Sequence, residues 1–150
     1  MTLVDTNVLI YATFADAPEH EPARTWLESR LAEAEETVAL CWPVLYAFVR
    51  LVTSPRVFGA AALPVAKGWA LAEAFVAQPA ARVVTHGADH AEIARELAAT
   101  PGLRSDDVPD IELAALAIEH GLTLATHDAG FRRFPALRVV DPVDGTQLSS

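Results

Sequence analysis

The sequence predicts an α/β domain in which a parallel β-sheet is covered by helices on both faces. Three observations lead there. Short apolar runs alternate with segments whose apolar residues recur at helical spacing, the pattern of strands joined by helical crossovers. Proline and glycine mark boundaries: Pro43 suits a first helical turn, Ser54–Pro55 ends that helix, and Gly121 stands just past the end of another. The chain has 150 residues, 52% of them hydrophobic and 21% charged, which is one domain's worth and enough to bury a core. No internal repeat, low-complexity tract or linker interrupts it, so residues 1–150 read as a single domain.

Taken in order, Leu3–Val4 reads as a short buried strand ended by Asp5, and Asn7–Ala12 as a helical turn or two. From His20 to Ala34 the apolar Ala23, Trp26, Leu27 and Leu31 recur at helical spacing, with Glu28, Arg30 and Glu33 opposite. Thr37–Cys41 is a second strand, and the helix that Pro43 opens runs to about Val52. Pro64–Ala77 is amphipathic and helical, Arg82–Thr85 is a strand, and Ala88–Ala99 turns Ile93 and Leu97 inward and Glu92 and Glu96 outward. After a polar loop over Thr100–Val108, Pro109–His120 is helical, Leu122–Thr126 is an apolar strand, and Arg138–Val140 reads as the last strand. Trp26, Trp42 and Trp69 fall on apolar faces, as core or interface residues do.

Composition removes several function classes. Cys41 is the only cysteine, which excludes an intrachain disulfide and a cysteine-based zinc site. Its apolar neighbours Val38–Trp42 suit a buried, inert thiol. Asp5 and Asn7 interrupt any signal-peptide pattern, and no run approaches the roughly 20 apolar residues of a membrane span, so a cytoplasmic location is expected. A formal charge of −9 argues against a broad basic nucleic-acid surface. It remains compatible with a nuclease whose carboxylates hold a cation that meets the phosphate, and it suits a basic protein partner.

In parallel sheets, chemistry gathers outside the carboxyl ends of the strands. That rule selects among 20 acidic residues. Asp5 follows the first strand, Asp128 follows Leu122–Thr126 with only His127 between, and Asp110 opens the helix leading into that strand, behind Asp106 and Asp107. Converging carboxylates raise one another's pKa unless a cation lies among them, and hard oxygen ligands suit Mg²⁺ or Mn²⁺. Such an ion activates water for phosphodiester hydrolysis. Each acid also has a structural alternative: Asp5 and Asn7 as helix caps, Asp107-x-x-Asp110 as a capping-box variant, and Asp128 as the start of a turn with Ala129-Gly130. Only the combination points to a site. His86 and His90 straddle a strand-to-helix turn and read as solvated, while His127 borders Asp128. There is no nucleophile elbow and no glycine-rich phosphate loop. A phosphate-accepting aspartate of the receiver or dehalogenase kind normally works with a strand-end lysine, and the only lysine, Lys67, lies within a helix pattern.

Val4-Asp5-Thr6-Asn7-Val8-Leu9 resembles the opening motif of PIN domains. The run Pro109 to Ala117, then Gly121 and Thr126-His127-Asp128-Ala129-Gly130-Phe131, resembles their C-terminal half, and Ala136 to Pro142 the ending of VapC-type toxins. The resemblance implies a three-layer α/β/α fold, Mg²⁺ or Mn²⁺ dependence, endonucleolytic cleavage of RNA, a homodimer, and neutralisation by a small antitoxin protein. By position Asp5, Asp110 and Asp128 match the family's first, third and fourth acids, and serve as the expected catalytic and metal-binding residues. Asp107 and Asp106 are secondary candidates for the metal. Thr6, Asn7 and Thr126 match supporting polar residues; Asn7, Thr126 and Arg50 are also candidates to meet substrate.

One departure stands out. The family places a second acid on the helix after the second strand, whereas Trp42 to Arg50 contains none and Leu45 occupies that position by sequence. A similar Trp-Pro-Val-Leu stretch belongs to one branch of these toxins, so its absence is compatible with activity. Glu112, two positions from Asp110 and so roughly 200° around the helix, is disfavoured as a substitute. Arg50, Arg56, Arg104, Arg132 and Arg133 are each open to phosphate contact or to pairing with nearby acids. The sequence thus supports two readings: a metal-dependent ribonuclease, or a PIN domain without catalysis that binds RNA or protein.

Overall fold

A computed structural model describes residues 1–147, and the side chains of 1–145. Six strands form one sheet in the order β3-β2-β1-β4-β5-β6. They are β1 (Thr2–Val4), β2 (Val38–Leu40), β3 (Ala81–Val83), β4 (Thr123–Ala125), β5 (Val139–Asp141) and β6 (Thr146–Gln147). The first five run parallel, and β6 pairs antiparallel with β5. β6 is absent from the sequence expectation, which ends the sheet at Arg138–Val140: a two-residue strand after the turn at Gly145 has no periodicity to read. Leu3, Val4, Leu40, Leu124 and Ala125 are almost completely buried, as central parallel strands require.

The helices are α1 (Thr6–Thr13), α2 (His20–Leu31), α3 (Trp42–Val52), α4 (Pro55–Phe58), α5 (Val65–Val76), α6 (His90–Ala98) and α7 (Val108–Glu119). Right-handed crossovers in this strand order put α1 to α5 on one face and α6 and α7 on the other. Helix packing agrees: α1 lies against α2 and α3, α3 against α5, and α6 against α7. At Gly68 of α5 an added Cβ would lie 2.8 Å from Thr53 Cγ2, so only glycine permits this approach to the end of α3. Gly121 ends α7 at φ +66°, the left-handed conformation expected there. Within Thr100–Val108, Ser105–Asp107 forms a 3₁₀ turn that runs directly into α7. Among the described residues no single helix is long and apolar enough to cross a membrane.

Helix α3 divides its residues among core, solvent and groove. Leu45, Phe48 and Val52, at i, i+3 and i+7, are fully buried in the core. Trp42, Tyr46 and Arg50, at i, i+4 and i+8, point outward. Val44, Ala47 and Leu51 form the third face, which borders a groove beside β1. The tryptophans lie outside the fully buried core, whose largest members are Phe48, Phe131 and Phe134.

Candidate active site

Strand order turns back between β1 and β4, the place where an open α/β sheet leaves a crevice at its carboxyl edge. The Asp5 N–H donates to Ala125 O at 2.9 Å, which sets the two strand ends level. Asp5 then caps α1, its Oδ1 accepting the Thr6 N–H at 2.7 Å. The structural role weighed from sequence is therefore present, and so is a second one. Oδ2 of the same carboxylate accepts from Thr126 Oγ1 at 2.7 Å and from Asn7 Nδ2 at 3.3 Å.

Thr126 and Asn7 knit this corner together. Thr126 Oγ1 also accepts from Asn7 Nδ2 and from the Asp128 N–H, both at 3.1 Å. Asn7 Oδ1 accepts the His127 N–H at 3.1 Å. With its side chain wholly buried and its hydroxyl committed, Thr126 orients Asp5 and the Asp128 backbone and does not meet substrate directly, a correction to one of its expected roles. Asn7 does the same work from α1. Replacing Thr126 by valine keeps the shape and leaves an Asp5 oxygen without its shortest partner; the expected cost is about 1–3 kcal/mol in urea denaturation.

Asp110 sits in the first turn of α7, and Asp128 caps the 3₁₀ turn Ala129–Arg133 by accepting the Gly130 N–H at 2.8 Å. The three acids lie within electrostatic reach of one another. Burial pushes the Asp5 carboxyl up to about 6, against its bonds to Thr126 and Thr6, and the charges of Asp110 and Asp128 push the same way. Asp110 is raised chiefly by burial and also by Asp128, with Arg133 acting against the shift. Arg133 Nη2 donates to Asp110 Oδ2 at 2.7 Å and lies 3.3 Å from Asp107 Oδ1, whose other oxygen accepts the Arg104 N–H. Asp106 is exposed on the turn.

These shifts have a consequence for the metal-free protein. A carboxyl near 6 when folded and near 3.8 when unfolded stabilises the fold fully below about pH 3.8 and loses that contribution as pH rises through about 6. In EDTA the wild type should therefore lose on the order of 3 kcal/mol from this group between pH 4 and 7. Urea denaturation across that range, compared with Asp5→Asn, isolates the contribution.

The groove between α3 and α7 holds about 230 Å³ and is lined by Asp5, Thr6, Cys41, Pro43, Val44, Ala47, Leu51, Pro109, Asp110, Glu112, Leu113 and Leu116. Two sequence expectations change here. The α3 residues that line this groove together with Asp5 are Pro43, Val44, Ala47 and Leu51, while Leu45 belongs to the core. Glu112 does border the groove, because the bordering face of α7 is Pro109, Glu112, Leu113 and Leu116, and Asp110 reaches in from its flank. Glu112 also pairs with His86 at 3.5 Å; His86 is exposed, as expected, and its ring centre lies 4.1 Å from that of the half-buried His90. Arg50 lies on the outer face of α3, away from the groove lining. Cys41 is buried at the groove floor, and burial pushes its thiol up to about 11, consistent with an inert side chain.

Among the described residues one group offers ligand atoms within 4.8 Å of one another, His127, Asp141 and Asp144; the carboxylates of Asp5, Asp110 and Asp128 stand farther apart than that. His127 Nδ1 lies 2.8 Å from Asp141 Oδ2, and Asp141 Oδ1 accepts the Val143 N–H at 2.9 Å. These contacts brace the ends of β4 and β5 next to the carboxylates. By chemistry, the all-oxygen donor set of Asp5, Asp110 and Asp128 is the kind that suits a hard divalent cation.

This arrangement defines an α/β domain with a carboxylate centre at the switch point of its sheet. The chain matches the PIN domain family model over residues 2–137. It is 41% identical over 145 residues to a VapC ribonuclease of Mycobacterium bovis, covering 97% of each chain. It is 34% identical to ribonuclease VapC33 of Mycobacterium tuberculosis, covering 95% of this chain and 99% of that one. Among solved structures, a VapBC2 complex from Rickettsia felis bound to promoter DNA superposes with a TM-score of 0.64 at 19% identity, covering 92% and 96% of the two chains. The sarcin–ricin loop cleaving toxin VapC20 of Mycobacterium tuberculosis superposes with a TM-score of 0.64 at 20% identity, covering 87% and 92%. The chain belongs to the PIN-domain family and, within it, to the VapC ribonucleases.

Proposed function

We propose that this single domain is the toxin of a toxin–antitoxin pair, a Mg²⁺- or Mn²⁺-dependent endoribonuclease working in the cytoplasm. The observation that carries this reading is the carboxylate centre of Asp5, Asp110 and Asp128 at the carboxyl edge of β1 and β4, with Asp5 fixed by Thr126 and Asn7. Those three acids would hold the ion, which supplies Lewis-acid activation of phosphate and of water. The chain's own residues do the rest. Thr6, Asn7 and Thr126 fix the orientation of Asp5, Arg133 holds Asp110, and the apolar wall of Pro43, Val44, Ala47 and Leu51 limits water on one side of the groove.

The surface suggests the partners. Tyr46 (62% exposed), Val65 (68%) and Trp42 (40%) lie exposed on α3 and α5 around the half-buried Trp69, an aromatic patch suited to a second copy of the chain. A trough of about 470 Å³ between α1–α2 and α5, lined by Ala12, Leu27, Leu31, Leu71 and Phe75, suits an apolar antitoxin segment, and a charge of −9 favours a basic one. The similar solved structures include complexes, among them VapBC2 from Rickettsia felis on promoter DNA and a toxin–antitoxin complex from Klebsiella pneumoniae.

Purified protein with Mn²⁺ is expected to cut single-stranded RNA internally, and EDTA to stop it. The apolar wall where the family carries an acid favours one competing reading, a domain that binds without cutting. RNA binding that persists in EDTA, with no cleavage under any metal, would establish that alternative.

A further inference from the structure

We propose that the centre is built for one divalent ion, with the Arg133 guanidinium supplying the charge that a second ion would otherwise bring to Asp107 and Asp110. This rests on the reading of Asp5, Asp110 and Asp128 as metal ligands.

Arg133 is held in place, unlike a solvated surface arginine. Besides its contacts to Asp110 and Asp107, Nη1 donates to Gly130 O at 2.9 Å. The guanidinium carbon lies 5.0 Å from the centre of the Phe134 ring, and the side chain is only 27% exposed. Its Nε is buried without a partner, a penalty tolerated because the rest of the fork is engaged. The cation thus belongs to the acid cluster as a fixed component.

Charge and ligand supply then favour a single ion. Asp5, Asp107, Asp110 and Asp128 bring four carboxylates, of which Arg133 offsets one and a single dication two. A second dication would compete with the guanidinium for Asp110 Oδ2, the oxygen that Arg133 holds. The α3 residues lining the groove, Pro43, Val44, Ala47 and Leu51, offer it no side-chain oxygen. Glu112, the other acid on the groove, pairs with His86. Hard ions of this type require a nearly complete oxygen shell, and each protein ligand lost must be replaced by water. Asp110 Oδ1 stands outside the Arg133 bond and remains able to serve the one ion.

The test is Mn²⁺ binding alone, by titration calorimetry on metal-stripped protein, with stoichiometry read per chain. Wild type and Arg133→Lys, which keeps the charge, are expected to take one ion each. Arg133→Met, with Asp107 and Asp110 released, should take up a second, its stoichiometry rising toward two, and circular dichroism would establish that it is folded. Two ions in the wild type would overturn the inference and leave the metal centre standing. A folded Arg133→Met that still binds one ion, no more tightly than wild type, would also overturn it. No binding by the wild type would remove the metal centre itself. Two ions in the wild type would overturn the inference even if Arg133→Met does not fold.

Discussion

Asp5→Asn is expected to lower metal-dependent RNA cleavage by at least about a hundredfold while making the metal-free protein more stable at pH 7. The two effects share one cause. Asparagine retains an oxygen to cap α1 through the Thr6 N–H and is among the preferred capping residues. It lacks the negative charge that a divalent ion requires. It also lacks a burden, because burial and the neighbouring Asp110 and Asp128 oppose ionisation of Asp5, whose carboxyl is held near 6. At pH 7 the wild type keeps that charge against a penalty on the order of 3 kcal/mol, and the variant does not. Denaturation in EDTA and RNA cleavage in Mn²⁺ read the two effects separately. A folded variant that cleaves RNA as the wild type does would make Asp5 a structural cap alone.

Leu45→Glu and Ala47→Glu should have opposite consequences, although the two positions lie two residues apart on one helix. Leu45 is fully buried beside Phe48 and Val52, so a glutamate there either buries a charge or drives α3 off the sheet. The expected loss is at least about 4 kcal/mol, enough to unfold much of a marginally stable domain. Ala47 borders the groove that contains Asp5 and Asp110, so a glutamate at this position faces an open, acid-lined space. That variant should remain folded and bind Mn²⁺ more tightly than wild type by roughly tenfold, as an added carboxylate ligand would. Thermal unfolding and Mn²⁺ titration on both variants provide the comparison.

The contrast between these two positions marks where sequence reasoning runs out. Alternating apolar runs and amphipathic segments suffice for the parallel sheet and its helices, because burial on both faces leaves a periodic trace. Asp5, Asp110 and Asp128 are legible too, since each stands at a strand end or helix start where the topology concentrates chemistry. Leu45 is misplaced by sequence, because α3 has three apolar or aromatic faces and hydrophobicity does not tell core wall from groove wall. Glu112 is disfavoured by an angle measured from Asp110, although both residues line the same groove. Arg133 carries no local signal of its role. Its partner Asp110 is 23 residues away, and the pairing exists only after the turn that Asp128 caps has folded back onto α7.

The most direct test of the metal centre is the anomalous difference density of a crystal soaked in Mn²⁺. A peak ligated by Asp5, Asp110 and Asp128 is the expected result, with the guanidinium of Arg133 beside it. A peak ligated instead by His127, Asp141 and Asp144, with none at the three acids, would contradict the account and move the metal to the neighbouring corner of the sheet.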